Sequence, residues 1–234
     1  MTMAFQPIVD ARARTVFAYE ALVRGAGGEP AEAILSQVNP DNRYAYDQTC
    51  RRTAVALAAR LQMPCFVSIN FLPNAVYQAA TCIRATLEAA RQHGFPTSRL
   101  IFEVTETSEI GSLHSARRFM QALRTQGVRF ALDDFGTGFS SISHLKHLPV
   151  DFVKIEGSLI TDLTESSRDR TMVESMVSLA HALELKVIAE HVDSQHTLRW
   201  LADCGADYAQ GHFLGEPVRL EEIDFRALNA VPEA

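Results

Sequence analysis

The sequence predicts a single α/β domain built as a (β/α)8 barrel. Short apolar segments of strand length alternate with longer helical patterns from Phe5 to Gln210, as in parallel strands joined by helices. About eight such units fit into the 234 residues, which is the usual size of this barrel. No repeat, low-complexity tract or linker interrupts the alternation, so we expect residues 1–234 to form one domain.

The charge and the cysteine spacing exclude several classes of protein. A net charge of -6 with 47% hydrophobic residues argues against a binder of duplex nucleic acid, which carries a basic face. The four cysteines form no CxxC pair, so neither a zinc site nor a disulfide framework is indicated, and reduced thiols fit a cytoplasmic location. No signal peptide opens the chain and no apolar run is long enough to span a bilayer. We therefore expect a cytoplasmic protein without membrane insertion.

The elements have recognisable boundaries. Strands are indicated by short apolar runs closed by turn residues. They are predicted at Phe5–Val9, Thr15–Val23, Cys65–Phe71, Leu100–Thr105, Phe130–Asp134, Asp151–Glu156, Lys186–Glu190 and Ala206–Gln210. Helices are indicated by apolar residues at helical spacing, with capping residues before and glycines after. They are predicted at Asn42–Gln62, Asn74–His93, Leu113–Gln126, Ser141–Leu148, Asp169–Leu185 and Ser194–Cys204.

A polar side chain occurs late in seven consecutive predicted strands. These residues are Glu20, Asn70, Glu103, Asp133 with Asp134, Lys154, Glu190 and Gln210. A single polar residue in such a position is usually a buried side chain that makes its hydrogen bonds within the core and has no functional role. Because the carboxyl ends of barrel strands meet at one face, where active sites lie, we expect the set to converge on one pocket.

The segment FALDDFGTGFSS, residues 130–141, places two adjacent carboxylates at the end of a buried strand. Asp133 and Asp134 repel each other and are costly to desolvate unless a cation binds them. The alternative is a polar turn in which they cap the next helix. The recurrence of acidic residues at the other strand ends favours the cation.

The convergent set is rich in hard oxygen ligands and contains no thiolate, which selects Mg²⁺ or Mn²⁺. Five carboxylates exceed what one ion needs, so two metals are expected, as in enzymes of in-line phosphoryl displacement. Lys154 is a candidate to orient the attacking water, or only to form a salt bridge. Arg24 is a candidate phosphate clamp. The residues alone predict a two-metal phosphoester hydrolase.

Ordered motifs across nearly the whole chain carry a resemblance to a family. They are FQPI at 5–8, EALVR at 20–24, SIN ending at Asn70, FEVTE at 102–106, DDFGTGFSS at 133–141, LPVDFVKI at 148–155, IAEHV at 188–192 and AQG at 209–211. The chain resembles the EAL domain family, the cyclic di-GMP phosphodiesterases of bacterial signal transduction. The resemblance implies a modified TIM barrel with one antiparallel edge strand, and hydrolysis of cyclic di-GMP to linear pGpG.

The resemblance also implies roles for individual residues. The first metal is expected on Glu20, Asn70, Glu103 and Asp133. Asp133 is expected to bridge to a second ion, which Asp134 and Glu190 help to hold. Lys154 is expected to contact the nucleophilic water, with Glu190 nearby as a base.

Further roles concern the substrate and a partner subunit. Glu106 is expected to brace the loop Phe135–Ser140, which in the family couples metal binding to a homodimer interface. Arg24 and Gln210 are expected to contact the substrate, with Gln6 and Leu22 as weaker candidates.

The chain departs from the family pattern at three places. Glu156 stands where the family usually has Asp, and alternation places it on the same face as Lys154, as a further catalytic candidate. His191 and Asp193 replace the glycine and glutamate of AEGVE, and Gly25 stands where Trp is frequent. His191 is interpreted either as a pH-sensitive neighbour of the site or as an outward loop residue. No expected metal ligand is missing, which favours an active enzyme.

Three other functions are consistent with parts of the pattern. A degenerate relative would bind cyclic di-GMP without cleaving it. A barrel enzyme using Lys154 as a Schiff base would need a lowered lysine pKa, whereas surrounding carboxylates raise it. A protein-interaction scaffold would leave the strand-end residues unexplained. The domain is expected either to stand alone or to belong with a sensor or GGDEF domain.

Overall fold

Eight strands close into a barrel in the computed structural model, which describes residues 1–71, 79–105, 113–136, 141–161, 163, 167–219 and 223. The strands are β1 (Thr2–Asp10), β2 (Val16–Arg24), β3 (Phe66–Asn70), β4 (Leu100–Thr105), β5 (Arg129–Phe135), β6 (Phe152–Ile155), β7 (Lys186–Ala189) and β8 (Tyr208–Gln210). Neighbours from β2 to β8 are parallel, and β1 lies between β8 and β2. The predicted barrel is confirmed.

The antiparallel strand is β1. It is antiparallel to β2, where Gln6 lies opposite Glu20, and to β8, where Ile8 lies opposite Gln210. A ninth short strand, β9 (Val218–Arg219), also pairs with β1. The prediction of one antiparallel strand is confirmed, and because the barrel is closed this strand is hydrogen-bonded on both sides.

Helices surround the strands. They are α1 (Ala31–Leu35), α2 (Arg43–Arg60), α3 (Ala79–His93), α4 (Leu113–Arg124), α5 (Ser141–His147), α6 (Ser158–Thr161), α7 (Ser167–Ala182) and α8 (Gln195–Cys204). The sequence missed α1 and α6, which are too short to show a helical period. The predicted start of the second long helix at Asn74 lies outside the described residues. No described helix combines the length and apolarity needed to cross a membrane.

Capping chemistry sets the ends of α8. The Ser194 side chain accepts a hydrogen bond from Thr197 N at 3.1 Å, as an N-cap serine does. Gly205 follows the helix with φ of 101°, in the left-handed region that glycine adopts without steric cost. Both predicted ends of this helix are therefore confirmed.

An apolar layer fills the barrel below the polar strand ends. Its fully or nearly fully buried members are Ile8, Ala18, Ile101, Ala131, Phe152 and Ile188. Phe17, Phe66 and Tyr208 pack against them, with the Phe17 and Tyr208 rings stacked at 3.9 Å between centroids. A larger core lies between strands and helices. The inner layer is an apolar floor that lies directly below a layer of polar side chains. That residues 1–234 form one domain stays a prediction.

Candidate active site

A polar layer lies one step above the apolar floor and includes a residue from every barrel strand or the residue directly after it. Side chains on one face of a strand recur every second residue, so each polar residue stands two positions from a floor residue. The set is Gln6, Glu20, Ser68, Glu103, Asp133, Lys154, Glu190 and Gln210. All but Glu190 are buried. The predicted convergence of strand-end side chains is thus present in the structure.

Lys154 lies at the centre of this layer. Its Nζ is 2.9 Å from Glu190 Oε1, 3.1 Å from Glu103 Oε2, 3.3 Å from Asp133 Oδ1 and 3.5 Å from Glu20 Oε2. Burial alone would lower the pKa of Lys154, but the four carboxylates raise it well above its usual value. The lysine is therefore a fixed cation, which argues against the Schiff-base alternative because that chemistry needs a neutral amine.

Glu20 is oriented by two carboxamides. Gln210 Nε2 donates to Glu20 Oε2 at 2.8 Å, and Asn70 Nδ2 donates to Glu20 Oε1 at 3.1 Å. Burial would raise the pKa of Glu20, but the charge of Lys154 and these hydrogen bonds lower it. Glu20 is therefore an ionised carboxylate, as a metal ligand must be.

The pKa of Glu103 is shifted in the opposite direction to that of Glu20. Burial raises its pKa well above the usual value, and the charge of Glu20 adds to this effect, although Lys154 acts against it. Ser68 Oγ donates to Glu103 Oε1 at 2.5 Å. Asn70 is the register partner of Glu103 on the adjacent strand, and the next residue, Phe71, donates its N–H to Glu103 O at 2.9 Å. Two predicted ligands are thereby tied together through the backbone.

A β-bulge places both aspartates of β5 near the site. Leu132 pairs with Val153 and Phe135 with Ile155, so β5 has one residue more than β6 over this step. Asp134 has φ of 56°, in the left-handed region. In a regular strand these neighbours would point to opposite faces, whereas here Asp133, Asp134 and Glu190 each offer an oxygen within 4.8 Å of the others.

Glu190 stands at the outer edge of the layer. Burial, followed by the charges of Asp133 and Glu20, outweighs the effect of Lys154 and raises its pKa to about 7. Its position depends on Gly211, because a Cβ there would lie 2.2 Å from Val192 O. The close approach allows Val192 N to donate to Gln210 O at 2.9 Å, which holds the loop after β7 beside the end of β8.

Two of the cavities lined by described residues adjoin the layer. One, of about 420 Å³, contains Gln6, Glu20, Glu190 and Gln210 in its wall and extends along the residues after β7 and β8. The other, of about 380 Å³, is mainly apolar and is lined by Leu22, Asn70 and side chains of α1 and α2. The first has the size and the convergent polar groups of a ligand site.

The remaining predicted site residues lie at different places. Arg24 is half-buried and donates from Nη1 to Val23 O at 2.8 Å, so its phosphate-binding role stays a prediction. Gln6 and Gln210 hydrogen-bond to each other at 3.1 Å at the cavity wall, whereas Leu22 lines the second cavity. Glu106 and most of the predicted dimer loop, residues 137–140, lie outside the described residues.

The Glu156 carboxylate lies at the start of α6. Strand β6 ends at Ile155, and the Glu156 carboxylate turns to accept hydrogen bonds from the N–H and hydroxyl of Ser158 at the start of α6. Among the described residues, Lys154 forms its ion pairs with Glu20, Glu103, Asp133 and Glu190, not with Glu156. Its catalytic role stays a prediction.

Ser68 is a site residue that the sequence reasoning missed. The interpretation of strand β3 stopped at its last polar residue, Asn70, although Ser68 stands two positions earlier on the same face. Because side chains two residues apart in a strand share a face, the position of Ser68 relative to Asn70 could have identified it. A small hydroxyl between valine and isoleucine gives a weak pattern, because serine is common in partly buried strands for no functional reason.

The donor set fits divalent cations. Asp133, Asp134 and Glu190 offer converging carboxylate oxygens, and Glu20, Asn70 and Glu103 add further oxygen ligands beside them. Such hard oxygen donors match Mg²⁺ and Mn²⁺. No ligand of this set depends on a cysteine or histidine.

Comparisons with known proteins agree with this geometry. A family model described as the EAL domain matches residues 1–217. The cyclic di-GMP phosphodiesterase PdeF of Escherichia coli is 34% identical over 159 residues, covering 68% of this chain and 21% of PdeF. This chain spans about a fifth to a third of the length of the first curated relatives that it matches.

Solved structures extend the likeness to three dimensions. A standalone EAL protein from Vibrio cholerae, bound to cyclic di-GMP, has a TM-score of 0.88 at 39% identity, covering 94% of this chain and 92% of that one. A manganese and cyclic di-GMP complex of BlrP1 from Klebsiella pneumoniae has a TM-score of 0.87 at 29% identity, covering 94% and 56%. With the family model matched over most of its length, the chain belongs to the EAL domain family.

Proposed function

We propose that this domain is a metal-dependent phosphodiesterase that hydrolyses cyclic di-GMP to linear pGpG in bacterial second-messenger signalling. The observation that carries the proposal is the position of Lys154 among four carboxylates, three from different strands and one from the residue directly after β7. A binding module has no need of so much buried acidity, because each ionised carboxylate is costly to desolvate. A hydrolytic centre that binds divalent cations does need it.

The proposed metal ligands are six residues. One ion would be held by Glu20, Asn70, Glu103 and Asp133, and a second by Asp133, Asp134 and Glu190. Two divalent cations, Mg²⁺ or Mn²⁺, would supply an activated water and neutralise charge on the phosphate oxygens. BlrP1 with manganese and cyclic di-GMP supports this choice of ion and substrate.

The protein's own groups would orient the metal ligands, bind the attacking water and accept its proton. Gln210 and Asn70 fix Glu20, and Ser68 fixes Glu103. Lys154 would hold the attacking water by hydrogen bonding, because its Nζ lies among the carboxylates that are proposed to bind the metals. Glu190 would accept that water's proton, since its carboxylate lies at the open edge of the layer.

The reaction adds one water across a P–O bond. The water oxygen bonds to phosphorus as the bond to the ribose O3′ breaks, and a proton passes to that leaving oxygen. The product keeps one terminal phosphate and gains one hydroxyl, and no redox partner is required. Arg24, Gln6 and Leu22 are the proposed further substrate contacts, and Glu106 the proposed brace of the following loop.

The context of the domain is also a proposal. We infer a cytoplasmic domain that acts as a homodimer through the loop after Asp134, and that receives its signal from a fused or separate sensor or GGDEF domain. This chain spans only about a fifth of the length of PdeB and PdeF. This supports the presence of further domains in those relatives.

Turnover of cyclic di-GMP by the purified chain tests the proposal. With Mg²⁺ or Mn²⁺ we expect pGpG, resolved by chromatography, and no product after addition of EDTA. Glu20→Gln should reduce the rate by about 100-fold or more, because even partners of metal ligands contribute about 10–100-fold. Glu88→Gln, on the half-exposed glutamate of α3, should leave the rate unchanged.

Two outcomes would contradict the proposal. Tight binding of cyclic di-GMP without product would indicate a receptor. No binding with either metal would remove cyclic di-GMP as the ligand of this site.

A further inference from the structure

The cavity beside the polar layer continues beyond the proposed metal ligands. Its outer wall is formed by the loop after β7, the turn after β8 and the end of α6, with Thr161, His191, Asp193 and His212 as polar lining residues. His191 and His212 are exposed. The cavity thus joins the acidic layer, suited to a phosphodiester with its metals, to a wall that bears imidazole rings.

The backbone at His191 is held firmly. His191 has φ of 54°, in the left-handed region that non-glycine residues seldom adopt. The next residue, Val192, donates to Gln210 O at 2.9 Å and accepts from Phe213 N at 3.1 Å. Gly211 allows this close approach. The imidazole is therefore carried by a fixed backbone directly beside Glu190.

Gly157 and His191 are complementary in shape. A Cβ added at Gly157 would lie 2.0 Å from His191 Nδ1 and 2.2 Å from its Cγ, and its three nearest atoms all belong to the His191 side chain. Gly157 is not among the described glycines with positive φ, so its backbone accepts other residues. The imidazole of His191 thus occupies the space that a side chain at position 157 would fill.

The chemistry of the imidazole suits a nucleobase. Among the described residues His191 has no hydrogen-bond partner, and its ring is exposed at the cavity wall. Every base offers a flat face for stacking, and purine edges offer acceptors for ring N–H groups; histidine makes both kinds of contact in nucleotide-binding proteins.

We propose that His191, seated against Gly157, contacts a guanine base of the substrate and sets the affinity of this domain for cyclic di-GMP. This inference rests on the proposed function. It makes His191 a contact for the base, separate from the residues proposed to bind metal or transfer protons.

A double-mutant cycle tests the pairing. His191→Gly removes the ring and suits the left-handed backbone, and we expect KM to rise about tenfold with kcat changed less than about twofold. Gly157→Ala should displace the ring and raise KM similarly. The double variant should be no worse than His191→Gly, because the clash has gone with the side chain. His196→Ala, an exposed histidine on α8 outside the cavity, is the control.

The outcomes separate this inference from the proposed function. An unchanged KM in His191→Gly, or additive effects in the double variant, would overturn it even if the wild type is an active enzyme. If the wild type binds cyclic di-GMP in Ca²⁺ without turnover, calorimetry of the same variants decides: about tenfold weaker binding in His191→Gly supports the contact, and equal binding overturns it. If the wild type binds no cyclic di-GMP, both proposals fall. Thermal melting that is unchanged in His191→Gly would show that the loss is not one of folding.

Discussion

Lys154 Nζ and Glu190 Oε1 are 2.9 Å apart, the shortest of the four ion pairs that this lysine makes within the described part of the chain. Glu190 lies at the open edge of the layer, whereas Glu103 is fully buried. One ammonium therefore balances part of an acidic cluster whose total charge exceeds its own. The remaining negative charge is what a divalent cation would neutralise.

Removal of the lysine charge should make stability depend on metal. Lys154→Met leaves buried carboxylates without their cation, and such a loss costs about 3–5 kcal/mol. Added Mn²⁺ should restore more stability to this variant than it adds to the wild type, since binding to the folded state stabilises it. Chemical denaturation with Mn²⁺ and with EDTA measures both effects.

The control for this experiment is Lys146→Met, which changes an exposed lysine of α5. It should leave the free energy of unfolding within about 0.5 kcal/mol of the wild type. Equal stability of Lys154→Met and wild type in EDTA would contradict the account.

Loss of the Ser68 hydroxyl should weaken metal binding. Its hydrogen bond lowers the pKa of Glu103 against the larger effects of burial and neighbouring charge. Ser68→Ala should therefore raise that pKa further, so that protons compete better with metal near neutral pH. We expect a weaker Mn²⁺ affinity by calorimetry, with the difference from wild type shrinking as pH rises. Ser175→Ala, which removes an exposed hydroxyl on α7, should have no such effect; a pH-independent loss in Ser68→Ala would be the contrary result.

A methyl group at position 211 should disturb the site through the backbone. Gly211→Ala would place Cβ against Val192 O, and the loop after β7 must move, carrying Glu190 with it. We expect destabilisation at or above the ~1–3 kcal/mol of overpacking, together with weaker Mn²⁺ binding. Gly94→Ala is the matched control, because it meets no atom within 4 Å and costs only the left-handed strain of about 1–2 kcal/mol. Unaltered Mn²⁺ binding in Gly211→Ala would contradict the proposed position of Glu190.

Asp207 should stabilise the opposite end of the barrel in a pH-dependent way. Burial would raise its pKa, but hydrogen bonds with Lys186, Val187 and His181 lower it below the usual value. A group with a lowered folded-state pKa stabilises above its unfolded pKa, about 3.9, and this contribution is lost as pH falls through the folded value. Asp207→Ala should cost about 1–3 kcal/mol at pH 7, and much less near pH 2.

The control for the acid experiment is Asp203→Ala, on an exposed aspartate of α8. Denaturation curves between pH 2 and pH 7 should show little difference from wild type at any pH. A constant difference for Asp207→Ala across that range would mean that its charge is not the cause.

The fold and the convergence of the strand-end side chains were predictable because short apolar runs, several ending in a polar residue, alternate with helical patterns in this sequence. The late positions of Glu20, Glu103 and Lys154 in apolar strands predicted that their side chains converge, and in the structure Lys154 lies beside both carboxylates. The bulge at Asp133 and Asp134 was not predictable, since it depends on register with β6. The contact of the Glu156 carboxylate with Ser158 was not predictable either, since it depends on how the chain turns into α6.

The central claim is that the polar layer is a two-metal hydrolytic centre. Its most direct test is the rate of pGpG formation as a function of Mn²⁺ concentration, measured together with the number of Mn²⁺ ions bound per chain. We predict two ions in the wild type, a rate that follows occupancy of the second, and fewer bound ions with little turnover in Asp134→Asn. Hydrolysis that persists in EDTA, or full turnover with one ion per chain, would contradict the account.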